Sequence, residues 1–307
     1  MAGEDELNYL TFTRHRGNFI SISEILLEKR TKYQKMVLGK SYLFGRCLFL
    51  DDILQISEMD EPIYHEMLVH PGAVSSEGPL KNALILGGGD GCAMRELLKH
   101  KSLEKAVMVD IDADVVQVAR EKLKDINKGS LDDSRTEVII GDATEYVNNS
   151  SDNKFDLVIL DLVDATGEMK FFGSEEFLSK CASLLAPGGV LVTHGSYLFD
   201  FPYVCGMYGT LKKVFRYVRM NISWMPSFGQ CWGFLVCSNS RDPASIPLDE
   251  VKSKTEGMEL LCYMPKHHAS FLTLSPFDLR IVENYDEGNY SKEQMQETSK
   301  FTDKIEK

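Results

Sequence analysis

The chain has 307 residues, of which 43% are hydrophobic and 26% charged, and its formal net charge is −12. This length can bury a substantial core and suits one large domain with a smaller one. The acidic balance disfavours nucleic acid or an anionic membrane as the main partner, because binding either relies on clustered Lys and Arg. It would suit a cationic substrate.

The N-terminus is acidic and lacks the apolar segment of a secretory signal, and no apolar run approaches the roughly 20 residues of a membrane helix. The seven cysteines include no CxxC pair, so neither a zinc ribbon nor a redox motif is predicted. The pair His267-His268 has no Cys or carboxylate partner at metal-ligand spacing, which predicts a structural role. We therefore expect a cytoplasmic protein with reduced thiols and no metal.

Residues 1–60 contain short β-type runs and predict a small antiparallel β domain. The segment from Tyr42 to Asp52 predicts two strands, with Gly45 and then Asp51-Asp52 as turns. A helical pattern follows over residues 61–68, with Pro62 in the first turn, where its missing N–H costs little.

Residues 61–283 predict a doubly wound, mostly parallel sheet of the Rossmann-like methyltransferase type. Apolar strands alternate with helical stretches, which indicates a sheet covered on both faces. The predicted strands cover residues 83–86, 105–110, 137–140, 155–160 and 189–193. A further strand over 231–237 is predicted at an antiparallel edge, one or two helices over 253–282, and a polar tail over 284–307.

The first of these strands is followed by Gly87-Gly88-Gly89-Asp90-Gly91 and then a helix. Such a loop lets the backbone approach a nucleotide closely beside a helix N-terminus, although a tight structural turn has the same composition. The dinucleotide pattern GxGxxG does not fit, because a required glycine is replaced by Asp90, Cys92 or Met94, and no Walker-type ending is present.

Carboxylates follow the next strands in order. Asp110 could accept the ribose hydroxyls of a nucleoside, Asp142 could accept the exocyclic amine of an adenine, and Asp161 and Asp164 follow the fourth strand. Each alone is weak evidence, because Asp is common in turns. Their succession at the carboxyl ends of parallel strands favours an adenosyl ligand over NAD.

Asp90 narrows the ligand class. A carboxylate beside the glycine loop would repel the carboxylate of S-adenosylmethionine, but it would attract the ammonium of decarboxylated S-adenosylmethionine. Asp161 and Asp164 add negative charge at the same rim, which suits a cationic amine acceptor.

Six motifs together resemble, in order, those of the polyamine aminopropyltransferases, the spermidine synthase family. They are Tyr33-Gln34, Tyr64-His65-Glu66-Met67, the glycine loop with Asp90, Val109-Asp110-Ile111-Asp112, Gly141-Asp142-Ala143 and Asp161-Leu162-Val163-Asp164. The likeness runs from about Tyr33 to about Leu274. Met225-Pro226-Ser227-Phe228 with Trp232-Gly233 resembles the thermospermine synthase branch.

The resemblance implies transfer of an aminopropyl group from decarboxylated S-adenosylmethionine, a co-substrate, to a polyamine, with no metal or bound cofactor. The methylthioadenosine part would be held by Gln34, Gly87, Gly89, Gly91, Asp110, Ile111, Asp142 and Ala143. Asp90 would hold the aminopropyl ammonium, and Asp161 would accept the proton of the attacking amine. The acceptor channel would be shaped by Tyr64, His65, Asp164, Phe228 and Trp232. A dimer or tetramer is also implied.

Two segments depart from the family pattern: Asp164-Ala165-Thr166-Gly167-Glu168, where a gate loop with Asp-Pro and Gly-Pro is usual, and His194-Gly195-Ser196, where Gln is usual. Both fall where the acceptor and the lid would sit, so the acceptor stays open. Two other functions also stay open: an S-adenosylmethionine-dependent N-methyltransferase of small molecules, and a non-catalytic regulatory homologue.

Overall fold

The computed structural model describes residues 7–13, 16–150, 154–163, 171–197, 201–279 and 282. Its first sheet has five antiparallel strands in sequential order. They are β1 (Leu7–Thr13), β2 (Arg16–Arg30), β3 (Lys35–Ser41), β4 (Gly45–Leu50) and β5 (Ile53–Ser57). The small N-terminal antiparallel sheet predicted from the sequence is therefore present.

The turns of this sheet partly differ from the prediction. Asp51 and Asp52 both have positive φ, 47° and 64°, as a tight hairpin turn requires, and the turn predicted there is correct. Tyr42 was expected in a strand, but β3 ends at Ser41 and Tyr42 lies in the next turn with 93% of its surface exposed. In a strand, the Tyr42 ring would pack against neighbouring side chains on the face of the sheet. In the turn, the ring remains in solvent.

Helix α1 (Glu61–Ser75) connects the two sheets and begins with Pro62 in its first turn, as predicted. It is buried along most of its length, including charged positions, because it packs between the second sheet and helix α2. A Cβ atom on Gly72 would lie 2.2 Å from the Val192 side chain, so this glycine permits the close approach of the helix to the sheet.

The second sheet has seven strands in the order β11-β12-β10-β9-β6-β7-β8. They are β6 (Asn82–Gly87), β7 (Lys105–Asp110), β8 (Thr136–Ile140), β9 (Phe155–Asp161), β10 (Leu185–Tyr197), β11 (Tyr217–Met225) and β12 (Gln230–Ser238). The strands from β6 to β10 pair in parallel, whereas β11 and β12 are antiparallel. The further helices are α2 (Cys92–Leu98), α3 (Ala113–Lys122), α4 (Ala143–Asn149), α5 (Glu175–Ser183), α6 (Phe201–Val214), α7 (Leu248–Lys254) and α8 (His268–Phe271).

The core lies on both faces of this sheet. Along β6, Ala83 and Ile85 pack into one apolar cluster, and Leu84 and Leu86 into the other. A strand covered on both faces gives a continuous apolar run, so the prediction of a doubly wound parallel sheet is confirmed. The order of the strands places the carboxyl ends of β9, β6, β7 and β8 side by side.

One prediction near the C-terminus was wrong in detail. Strand β12 was expected at the edge of the sheet, but it lies between β10 and β11, and the edge strand β11 was not predicted. Polar residues such as Arg219 and Ser223 interrupt β11, because one side of an edge strand is only partly covered. The prediction of one or two helices over 253–282 is correct: α8 lies there, and residues 276–279 form a further helical turn. Helix α7 begins earlier, at Leu248. The tail at 284–307 lies outside the described residues.

Candidate active site

The glycine loop is pressed against the ends of two strands. Gly87 has φ +83°, and a Cβ atom there would lie 2.1 Å from the carbonyl oxygen of Asp161. The amide of Gly88 donates to that same carbonyl at 3.1 Å, and a Cβ atom on Gly89 would lie 2.6 Å from Asp110 Oδ2. The absence of side chains therefore brings the loop, Asp161 and Asp110 together at one edge of the sheet.

Asp110 ends β7 and faces this loop. Its Oδ1 accepts a hydrogen bond from the amide of Asp112 at 2.8 Å. Burial, together with the charge of Asp112, raises the pKa of Asp110 to about 6, against the effect of its backbone hydrogen bonds. Ile111, the next residue, leaves 41% of its surface exposed, which is unusual for isoleucine in a folded chain. A carboxylate beside an uncovered apolar side chain fits a ribose next to a base.

Gln34 reaches the same place from the first sheet. Its Nε2 donates to Asp112 Oδ2 at 3.0 Å, and the hydroxyl of Thr31 donates to the same oxygen at 2.7 Å. Asp112 Oδ1 also accepts from the amide of Asp114 and so caps helix α3. Asp112 is buried, and it ties the turn between β2 and β3 to the loop after β7. Our sequence reasoning gave it no role, although the Asp-Ile-Asp spacing at the start of a helix is the pattern of a cap.

Asp142 caps helix α4 in the same way. Its Oδ1 accepts from the amides of Thr144 and Glu145 at 2.6 and 3.2 Å, and Ala143 is buried in the first turn. The cap fixes the carboxylate just beyond the end of β8, two strands from the glycine loop. The structure thus brings the predicted nucleoside residues to one sheet edge.

Asp90 lies at the end of the glycine loop that leads into helix α2. Its Oδ1 accepts from the amide of Cys92 at 2.7 Å and lies 3.6 Å from His65 Nε2. The Asn127 side chain donates to the Asp90 carbonyl at 2.9 Å, which fixes the backbone that carries this carboxylate. Asp90 is therefore an oriented carboxylate and only partly exposed.

His65 lies between Asp90 and Glu61 and has 1% of its surface exposed. Its Nδ1 is 2.8 Å from the Glu61 carbonyl and 2.9 Å from Glu61 Oε2. Burial alone would lower the pKa of His65, but the charges of Asp90, Glu61 and Asp161 outweigh it and raise the pKa to about 9. No role was predicted from the sequence for Glu61 or for Arg95, which belongs to the segment after the glycine loop that resembles the family, because their pairing depends on the packing of α1 against α2.

Asp161 ends β9 next to the glycine loop. Tyr64 donates its hydroxyl to Asp161 Oδ1 at 3.0 Å. Burial and then the charge of Asp90 raise the pKa of Asp161, whereas His65, His194 and the Tyr64 hydroxyl act in the opposite direction. A carboxylate with a raised pKa is a suitable proton acceptor.

Aromatic rings pack around Tyr64. Its ring centroid lies 6.5 Å from Phe228 and 6.3 Å from Trp232, and Trp232 stacks on His194 at 5.8 Å. Aromatic faces attract alkylammonium groups. His194 Nε2 is also 2.6 Å from the Leu162 carbonyl. His194, which stands where Gln is usual in the family, therefore contacts the backbone directly after Asp161.

The turn that carries Phe228 is held by a buried carboxylate, Asp60. The amide and hydroxyl of Ser227 donate to it at 2.7 and 2.9 Å, and the Ser57 hydroxyl donates at 2.6 Å. Asp60 thereby joins the first sheet, the start of α1 and the β11–β12 turn, a role that the sequence reasoning missed. Asp164, predicted in the acceptor channel, and the altered gate segment 165–168 lie outside the described residues.

Two groups of three side chains around His65 have donor atoms within 4.8 Å of one another: Glu61, His65 and Cys92, and His65, Asp90 and Asp161. Glu61 is already held by a bidentate pair with Arg95 at 2.7 and 2.9 Å. Burial raises the pKa of Cys92 well above its ordinary value, which disfavours the thiolate that metals require. The first group is therefore part of a hydrogen-bonded network with Arg95.

His268 has the structural surroundings that its sequence context predicted. It is buried, its Nδ1 is 2.7 Å from the Tyr263 hydroxyl, and its Nε2 is 2.8 Å from the Pro243 carbonyl. Its neighbour His267 is exposed.

The chain resembles known proteins over most of its length. Residues 61–249 match the family model described as the spermine/spermidine synthase domain, and residues 11–58 match the spermidine synthase tetramerisation domain. The polyamine aminopropyltransferase of Aeropyrum pernix is 41% identical over 236 residues, which are 75% of this chain and 74% of that one. The polyamine aminopropyltransferase of Pyrobaculum neutrophilum is 37% identical over 263 residues, 83% of this chain and 90% of that one.

Solved structures agree with these relatives. A spermidine synthase in complex with the transition state analogue AdoDATO has a TM-score of 0.84 and 30% identity, covering 90% of this chain and 95% of the other. The spermidine synthase of Thermotoga maritima has a TM-score of 0.83 and 30% identity, with 90% and 94% covered.

The fold and the relatives define an enzyme of the polyamine aminopropyltransferase class. The chain belongs to the spermine/spermidine synthase family. The match of its N-terminal sheet to a tetramerisation domain supports an oligomer. Among the residues that the structure describes, no helix is long and apolar enough to cross a membrane.

Proposed function

We propose that this chain transfers the aminopropyl group of decarboxylated S-adenosylmethionine to an amine of a diamine or polyamine and releases methylthioadenosine. One observation carries the proposal. Asp90 and Asp161 flank the same glycine loop, and the aromatic rings of Tyr64, Phe228 and Trp232 follow directly. The two carboxylates would attract the ammonium of the donor, and the aromatic faces would attract the entering amine.

The donor would lie along the strand ends. Asp110 would accept the ribose hydroxyls, Ile111 would contact the base, and Asp142 would accept its exocyclic amine. Asp90 would hold the aminopropyl ammonium. The intact S-adenosylmethionine carries a carboxylate on the same carbon, and its repulsion by Asp90 disfavours the methyltransferase alternative.

The acceptor would react through its free amine, because only an unprotonated nitrogen can attack the carbon next to the sulfonium. A free alkylamine is mostly protonated at neutral pH, so Asp161 would take the proton of the amine while its Oδ1 keeps the hydrogen bond from Tyr64. The new C–N bond forms as the C–S bond breaks, and both electrons of that bond stay on the departing sulfur. Sulfonium is a good leaving group, so positioning and deprotonation supply most of the acceleration.

We also propose the class of the acceptor and the oligomeric state. The acceptor is a small cationic amine, as in a spermidine or thermospermine synthase, and the chain forms a homodimer or homotetramer that pairs through the first sheet. The chemistry requires no metal and no bound cofactor, so turnover should persist in the presence of a chelator, and its complete loss with EDTA would count against the scheme. The absence of a nucleic-acid partner and the cytoplasmic location stay predictions of the sequence.

The test is a turnover assay with two donors and a panel of amines. Purified protein is incubated with decarboxylated S-adenosylmethionine labelled in the aminopropyl group, or with S-adenosylmethionine, and with putrescine or spermidine. We expect labelled, lengthened amine and an equal amount of methylthioadenosine from the decarboxylated donor alone. A methylated amine would support the methyltransferase, and donor binding without product would support the non-catalytic homologue. The Asp161→Asn variant serves as the matched inactive control.

A further inference from the structure

His65 is surrounded by charged and titratable groups from every element that packs around it. Helix α1 contributes Glu61 and Tyr64, the glycine loop and α2 contribute Asp90, Cys92 and Arg95, β9 contributes Asp161, and β10 contributes His194 across the Tyr64 ring. The imidazole itself is almost completely buried. A buried charge is stable only where an opposite charge pairs with it, so the charge of His65 in the ligand-free protein depends on the carboxylates around it.

The charges around His65 do not balance without it. Glu61 is matched by the bidentate pair with Arg95, whose Nε also donates to Glu96 at 2.7 Å. Asp90 and Asp161 therefore form the surplus, and His65 Nε2 is within 3.6 Å of Asp90 Oδ1. Protonation on Nε2 places a positive charge between them.

The two nitrogens of His65 have different tasks. Nδ1 is 2.8 Å from the backbone carbonyl of Glu61, an acceptor that cannot donate, so Nδ1 keeps its hydrogen in either charge state. The proton that can leave is the one on Nε2, which faces Asp90. Once it leaves, Nε2 becomes an acceptor at the position where the proposed function places the donor's ammonium.

We propose that His65 is the resident cation of the empty donor site, and that binding of the donor's ammonium at Asp90 displaces the Nε2 proton of His65 into solvent. The inference rests on the proposed function, because it requires a donor with an ammonium and no carboxylate. The step moves one proton and breaks no other bond. His65 is thus a specificity-determining residue. It accepts a hydrogen bond from the ammonium of the aminopropyl donor, and a ligand without an ammonium gains no such bond.

The raised pKa of His65 in the empty site, about 9, agrees with this arrangement. The donor binds better to neutral His65, so its affinity rises with pH until the pH reaches the pKa of the empty site. If binding returns His65 to its ordinary pKa, the affinity should rise roughly sevenfold between about pH 7.5 and 8.5, and close to one proton should leave per donor near pH 8. Methylthioadenosine has no aminopropyl ammonium and should release no proton.

Isothermal titration calorimetry tests the proposal without turnover. Each ligand is titrated into the unmodified enzyme near pH 8 in two buffers of different ionisation enthalpy, and the difference in heat gives the protons released. We expect close to one proton with decarboxylated S-adenosylmethionine and none with methylthioadenosine. Equal release by the two ligands, or release by neither, would overturn the proposal. No binding heat with the decarboxylated donor would instead contradict the proposed function.

Two matched variants identify the source of the proton. His65→Gln should abolish the release and flatten the pH dependence of donor affinity, whereas His267→Gln, the same change at an exposed position, should leave both unchanged. If His65→Gln still released the proton, Asp161 would be its source and the proposal would be wrong. Asp161→Asn, which keeps His65, separates the two sources even if His65→Gln does not fold: continued release assigns the proton to His65, and loss of the release would assign it to Asp161 and overturn the proposal.

Discussion

Helices α1 and α2 carry two neighbouring buried clusters of titratable side chains, one beside the glycine loop and one farther from it along α1. Beside the loop, at the sheet edge, His65 contacts Glu61 and Asp90 and lies near Asp161. In the cluster farther from the loop, His70 Nε2 is 2.8 Å from Glu96 Oε2, and His70 Nδ1 is 3.1 Å from His100 Nε2. Both clusters are built around a histidine of the same helix, and both are shielded from solvent.

The two clusters differ in charge balance. In the cluster farther from the glycine loop, Glu96 is contacted from three sides, by His70, Arg95 and Lys99. Burial alone would raise the pKa of Glu96, but these partners outweigh it and depress the pKa strongly. Burial, and then the charge of His70, lowers the pKa of His100 to about 3, so that this ring stays neutral. Every charge there has its partner within the protein. The cluster at the sheet edge has surplus carboxylates that face the glycine loop, and such a surplus is a place for a cationic ligand.

The largest expected effect comes from removing the catalytic carboxylate at the sheet edge. Asp161→Asn keeps the shape and the hydrogen bond from Tyr64 but cannot accept a proton, so turnover should fall by roughly 10²–10⁴-fold. Rates measured at saturating donor and acceptor check this. Raising the pH should restore part of the rate, because more acceptor is then unprotonated without help.

Donor affinity provides the control for Asp161→Asn and should change little, because Asp110 and Asp142 hold the nucleoside. Near-normal turnover of the variant at neutral pH would show that another group or solvent takes the proton. Asp161 would then be an electrostatic anchor for the acceptor.

The balanced cluster should respond in stability and not in binding. Glu96→Gln leaves His70 and Lys99 without their shared carboxylate in a buried place, and breaking a buried pair from one side costs roughly 3–5 kcal/mol. The free energy of unfolding in urea measures this loss. The exposed pair of Glu176 with Lys180 supplies the control, and Glu176→Gln should leave stability nearly unchanged.

The affinity of the folded Glu96→Gln protein for methylthioadenosine should stay unchanged. A variant that loses nucleoside affinity but keeps its stability would contradict the division between the two clusters.

A smaller effect is expected from the surplus carboxylate that binds the donor. Asp90→Asn retains an oxygen for the amide of Cys92 but removes the charge opposite the ammonium. The binding of decarboxylated S-adenosylmethionine should therefore weaken by roughly 1.5–3 kcal/mol, or about ten- to 150-fold in affinity. The affinity for methylthioadenosine should not change, and intact S-adenosylmethionine should bind less poorly than to the unmodified enzyme. Calorimetry with the three ligands checks this, and an unchanged preference between the two donors would refute the role of Asp90.

The sequence predicted one of the two clusters far better than the other. Gly87 and Asp161 could be placed together because each follows a buried strand, and the ends of parallel strands meet at one edge. No such rule connects Glu96 to His70 or Arg95 to Glu61, since these pairs arise from the way that α1 packs on α2. Asp60 and Ser227 meet for the same reason, through the folding of distant segments.

Edge strand β11 escaped prediction for a related reason. Its sequence alternates apolar and polar residues, such as Met220 and Asn221, and its pairing with β12 could not be inferred from an apolar run. The core strands, which are covered on both faces, were recognised because burial leaves them uniformly apolar. Local composition therefore predicted the sheet and its strand-end carboxylates, whereas the ion pairs that support them required the tertiary structure.

The pH dependence of stability provides the last and smallest test of the comparison, because the two clusters act in opposite directions. The pKa of His65 is raised in the folded, ligand-free protein, so its contribution is complete below the unfolded pKa of about 6.5 and is lost as the pH rises through about 9. The pKa of His100 is lowered, so stability is lost as the pH falls below about 6.5 toward 3, where the unfolded chain binds a proton that the folded chain does not.

Each histidine should change the free energy of unfolding by about 1–2 kcal/mol, His65 between about pH 7 and 8.5 and His100 between about pH 6.5 and 5.5. Urea unfolding at a series of pH values measures both. His65→Gln should flatten the alkaline side alone, and His100→Gln, whose amide oxygen can still accept from His70, should flatten the acid side alone. If either variant flattened both sides, the two clusters would be coupled through Arg95, which contacts Glu61 in one and Glu96 in the other. The charge surplus at the sheet edge would then belong to a single network along the helix pair, and the separation between a binding end and a structural end would fail.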